Sequence, residues 1–157
     1  MRLLLKFMHV LGAMLFIGAS TSFIALASFA DGLLPGQVGV LPQALAFACG
    51  WIALPALVTT LTTGAILLAQ QPLYVAARWP WAKAVIGLAV LAIAAAVVQP
   101  GFTRAAAFAQ QSASGAPVDR TLASTLDAAV AATWAVLALA ILAVVLAMWR
   151  PRLGQGR

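Results

Sequence analysis

The chain has 157 residues, 64% of them hydrophobic and 8% charged, with a mean hydropathy of +1.06. A soluble globular domain carries about 25% charged residues, so this composition excludes a single water-facing fold and points to an integral membrane protein. The net charge of +6 comes from nine Lys and Arg against three Asp and no Glu. No aromatic residues interleave with the basic ones to stack bases, so the charge marks short basic loops beside a bilayer and not a nucleic-acid surface.

The first apolar run covers residues 3–30 and is long enough to cross a bilayer core, which takes about 20 residues. It follows Arg2 as a secretory signal would. It outlasts the roughly 7–15 apolar residues of such a signal, so it is expected to stay as an uncleaved anchor. It holds His9, the one histidine of the chain. An ionisable group inside the membrane is costly and is expected to face the bundle interior or an aqueous cavity. On a helix, Arg2, Lys6, His9, Ala13, Phe16 and Ser20 fall on roughly one face. Gly12, one turn past His9, leaves room beside the ring for a neighbouring helix or a flat ligand.

Residues 31–39, rich in Gly and Pro, read as a loop. The second span is expected over 45–69, with a kink at Pro55, which lacks an N–H. Thr59, Thr60, Thr62, Thr63 and Gly64 follow, and Gln70-Gln71-Pro72 ends it. Cys49 lies here as the single cysteine. Alone it excludes an intrachain disulfide or a Cys–Cys metal site, and it is expected to be a small packing residue. The third span is expected over 79–98, stopping at Pro100-Gly101, with a loop over 101–120. The fourth is expected over 121–149, stopping before Pro151. Ser124 and Asp127 have the spacing of a capping box, so Asp127 is expected in the first turn of that helix, favoured by the helix dipole. An acidic group at that depth can also serve a proton or cation path.

Arg2, Lys6, Arg78, Lys83, Arg150, Arg152 and Arg157 fall on one side of these spans and Arg104 and Arg120 on the other. The positive-inside rule then puts both termini in the cytoplasm. The expected fold is all-α, an integral membrane antiparallel four-helix bundle forming one domain over 1–157. Its partner is the lipid bilayer of a bacterial inner membrane. Trp79, Trp81 and Trp149 gather at the cytoplasmic interface as anchors. The Gly18–Ser22 spacing permits a homodimer or a place in a larger membrane complex.

His9 lies about 9 Å from the cytoplasmic end of the first helix and Lys83 about 6 Å from the same side of the third. The second helix returns toward that side, so His9, Lys83 and Thr60, Thr63 and Gly64 are expected in one layer. Two readings follow. His9 can hydrogen-bond a threonine as interhelical glue, with Lys83 snorkelling to the interface. Alternatively, His9 is the axial ligand of a haem b iron, with Gly12, Thr63 and Lys83 beside the ring and Arg2, Lys6, Arg78 and Lys83 neutralising its propionates. One histidine excludes a bis-histidine haem within one chain. Met8, Met14 and Met148 are candidate second ligands, though methionine more often fills gaps in a core. Nucleophilic catalysis has no support, since Cys49 and the threonines lack a base.

The stretch Leu4-Leu-Lys6-Phe-Met-His9-Val-Leu-Gly12-Ala-Met-Leu-Phe-Ile-Gly18 resembles the opening helix of a family of small four-helix bacterial membrane proteins of unknown function. Leu54-Pro55, Leu61-Thr-Thr-Gly64-Ala and Trp81-Ala-Lys83 resemble it too. The opening is also similar to copper-resistance D domains and to HemJ-type protoporphyrinogen oxidases. The HemJ resemblance implies haem b and a functional pair at His9 and Lys83. The chain departs from that type in having Ser20-Thr-Ser-Phe where it has Pro-Arg-Leu, and in lacking further histidines. Copper handling implies a run of His, Met or Cys ligands, which this chain does not have. The function classes that remain are a small membrane protein holding haem b for redox or haem handling, a non-enzymatic accessory or assembly subunit, and a small transport or permeability protein.

Overall fold

The computed structural model describes residues 2–29, 40–70, 78–113 and 120–149. The expected loop over 31–39 and the basic tail from Arg150 lie outside them. The described residues are helical, and four helices are long and apolar enough to cross a membrane. Helix α1 is Arg2–Ser28. Helix α2 runs over Val40–Ala48, a π-turn at Cys49–Ala53, and Leu54–Ala69. Helix α3 runs over Arg78–Ile93, a π-turn at Ala94–Val98, and Gln99–Ala113. Helix α4 is Arg120–Trp149.

Both π-turns have the same cause. A proline inside a helix has no N–H to give, and its ring crowds the carbonyl four residues back. Pro55 and Pro100 each stand two residues past the end of a π-turn. The residue before each proline reaches back five residues instead of four. Leu54 N–H bonds Cys49 O, and Gln99 N–H bonds Ala94 O. The extra residue moves the crowded carbonyl aside, so the helix continues. Pro100-Gly101 therefore does not end the third span. The helix runs on to Ala113, and the loop expected over 101–120 is helical for its first 13 residues. Helix α4 likewise starts at Arg120, four residues before Ser124. Ser124 is thus no N-cap, and Asp127 lies past the first turn with its side chain exposed.

Each helix packs antiparallel on its chain neighbours, and α4 closes the ring against α1, leaving α1 and α3 on one diagonal. Small residues set the close approaches between helices. A Cβ on Gly12 would lie 2.8 Å from Ala56 O, and one on Gly101 would lie 2.7 Å from Ala129 Cβ. A Cβ on Gly50 would lie 3.0 Å from Gln99 Nε2, so the side chain beside one break rests on the backbone of the other. Across the diagonal, Phe23 and Phe102 meet edge to face at 5.7 Å. They join a core that includes Phe16, Leu45, Cys49 and Val136. Cys49 is a free, buried core residue, as its isolation in the sequence implied.

The outside is apolar on every helix. Phe7, Trp51, Leu88 and Trp134 are each more than half exposed. A water-soluble monomer rarely shows apolar patches beyond a few hundred Å². The hydroxyls are satisfied without water: Ser20, Ser22, Thr59, Thr60 and Thr133 each donate to the carbonyl four residues back. That internal pairing suits a medium with no other acceptors.

Candidate functional site around His9

The site is built on the α1–α2 seam. Gly12 lets α1 settle against Ala56 and Thr60. One turn earlier, this closeness brings His9 onto α2. His9 Nδ1 lies 2.7 Å from Thr60 O and 3.5 Å from Thr63 Oγ1. A carbonyl can only accept, so Nδ1 carries the proton and donates it. Thr63 spends its own proton on Thr59 O at 2.6 Å and turns a lone pair toward the ring. In the neutral imidazole the other nitrogen, Nε2, then holds the free electron pair. Gly64 makes room for the ring: a Cβ there would stand 2.9 Å from His9 Cε1. At the end of the seam, Arg2 Nη2 reaches Gln70 O at 3.5 Å, placing a cation at the carbonyl end of α2 where the helix dipole favours it.

Five of the residues singled out from the sequence come together here: His9, Gly12, Thr60, Thr63 and Gly64. Gly12 admits a neighbouring helix and not a flat ligand, because α2 fills the space beside it. Lys83 stands apart. It is half-buried on α3, one turn before Gly87, whose added Cβ would meet Leu61 Cδ2 at 2.5 Å. It thus approaches α2 on the Leu61 side, about 6 Å nearer the Arg2 end than the Gly87 layer. No hydrogen bond joins it to His9 among the described residues. The residue that sequence reasoning missed is the acceptor itself. The threonine run predicted a hydroxyl partner, and the main partner is the backbone carbonyl of Thr60. Proline and glycine spacing gave no signal of it.

Nε2 is the one imidazole nitrogen available to an iron, and an Nδ1–H tied to a carbonyl is the arrangement that fixes the ring and raises the basicity of such a ligand. The donor the chain would offer to an iron is this one imidazole, through Nε2. Among the described residues no group of three or more His, Cys, Asp or Glu could hold a bare metal ion. The bundle centre is closed to a porphyrin, since its cavity is about 10 Å³. A haem would have to meet His9 from the outer side of the seam.

Comparisons of the chain with protein-family models, curated proteins and solved structures find no match.

Proposed function

We propose that this chain is a small multi-pass protein of a bacterial inner membrane, with both termini in the cytoplasm, that holds one haem b through His9 for redox or haem handling. The observation that carries the reading is the 2.7 Å contact of His9 Nδ1 with Thr60 O, which orients the imidazole and leaves the Nε2 pair free. Haem supplies one-electron chemistry when bound. The chain supplies an oriented ligand in an apolar setting, and both raise control over the iron's potential. Lys6, exposed one turn before His9, is the nearest cation along α1 for a propionate.

The orientation rests on the seven-to-two division of basic residues between the two ends. The protein purified in detergent is expected to show a Soret band, with sharp α and β bands after dithionite. His9→Ala is expected to abolish them. An unchanged Soret band in His9→Ala sinks this assignment.

A second reading is favoured by the same contact seen from the other side. His9 clamps α1 to α2, so a purely structural histidine in a non-enzymatic accessory or assembly subunit fits as well. That reading predicts a colourless protein from haem-replete cells that co-purifies with a partner or with a second copy of itself.

A further inference from the structure

Three polar side chains from three helices are buried at the depth of the two proline breaks. Ser20 on α1 is 2% exposed, Cys49 on α2 is 2% and Thr133 on α4 is 1%. All three line one cavity of about 10 Å³ at the centre of the bundle. Both π-turns open onto it, through Cys49 and Ala53 on one side and Ala94 and Val98 on the other. A π-turn swells a helix. Here the swelling is lined by alanine at Ala53 and Ala94, so it leaves a gap that larger side chains would have filled.

The hydrogen-bonding capacities of the three groups are complementary. Ser20 Oγ donates to Phe16 O at 2.9 Å, and Thr133 Oγ1 donates to Ala129 O at 2.8 Å. Each hydroxyl has spent its proton, so each has lone pairs left to offer. Cys49 is the counterpart. Its free thiol is a weak donor. A buried water needs about 10–15 Å³ of space for its centre and two to four polar partners. The cavity meets the lower bound of the first condition, and three residues that carry a hydroxyl or thiol line it, within the number that the second asks for.

We infer that this cavity is a binding site for a single water molecule, which donates to Ser20 Oγ and Thr133 Oγ1 and accepts from the Cys49 S–H. The water ties α1, α2 and α4 together where α2 and α3 lose their regular hydrogen bonding. A larger ligand does not suit the site, because the volume admits one heavy atom. A charged ligand does not suit it either, because no charged side chain lines it.

The chain has one cysteine, so its infrared S–H stretching band belongs to Cys49 and disappears in Cys49→Ala. In the intact protein in detergent or lipid, that band is expected below the frequency of a free thiol. It is expected to move back toward that frequency in Thr133→Val, which keeps the side-chain shape, and in Ser20→Ala. A wild-type band at the free-thiol frequency overturns the proposal. A lowered band that neither substitution moves overturns it as well, since the thiol would then be bonded within its own helix. Two substitutions on different helices keep the test standing if one variant fails to fold.

Discussion

Gly12→Leu is expected to destabilise the bundle severely, while Gly18→Leu on the same helix is expected to leave it nearly unchanged. Both substitutions gain the same helix propensity, roughly 1 kcal/mol over glycine. The surroundings differ. A Cβ on Gly12 would lie 2.5 Å from Thr60 Oγ1 and 2.8 Å from Ala56 O, whereas nothing lies within 4 Å of one on Gly18. Thr60 Oγ1 is held by its own bond to Ala56 O, and Ala56 O is backbone, so neither can swing away. Overpacking of this kind costs about 1–3 kcal/mol and more for a branched side chain, which outweighs the propensity gain. Thermal unfolding of the two variants in the same detergent checks this. Equal midpoints would mean that α1 and α2 do not meet at Gly12.

On the proposed role of His9, Gly64→Val is expected to weaken haem binding without touching the histidine. The new Cβ would stand 2.9 Å from His9 Cε1 and 3.2 Å from Nδ1. Two further methyl groups leave the ring no place against α2, so the Nδ1–H must leave Thr60 O. A freed Nδ1–H takes away the fixed orientation of the ring, and losses of such supporting partners typically cost about 10–100-fold in metal affinity. Haem titration of detergent-purified Gly64→Val is expected to show weakened uptake in that range, with the far-ultraviolet helix signal retained. Wild-type affinity in Gly64→Val would show that the Thr60 contact does not prepare His9 for iron.

Much of this architecture could be read from the sequence because apolar length alone marks a spanning helix. Helices α1 and α2 begin and end within a few residues of the expected spans, apart from the earlier start of α2 at Val40. Helix α3 was harder. Pro100-Gly101 looks like a stop, and in water it usually is one. Here the helix absorbs the proline with a π-turn and continues, which keeps the backbone polar groups bonded within the helix. Pro55 shows the same solution 45 residues earlier. The Ser124–Asp127 spacing misled for a related reason: a short polar motif cannot announce that the helix has begun one turn before it.

The site was legible to the same degree. Matching depths along α1 and α2 placed His9 beside Thr60, Thr63 and Gly64, and the structure does the same. Depth says nothing of which helices are neighbours. Lys83 shares an end of the bundle with His9 but sits on the diagonal helix, an arrangement fixed by packing at Gly87 and Gly101. The acceptor for His9 was invisible because a main-chain carbonyl carries no letter of its own. The central cavity was hidden in the same way, since Ser20, Cys49 and Thr133 are far apart in the chain and come to line one cavity only in the folded bundle.

The most direct measurement is the resonance Raman spectrum of the haem-loaded protein in its ferrous state. An iron–imidazole stretching band can come only from His9, because the chain has no other histidine. That band is expected in the wild-type protein and is expected to be missing from His9→Ala. A wild-type protein that takes up no haem, or that binds it without this band, contradicts the assignment of His9 as the ligand.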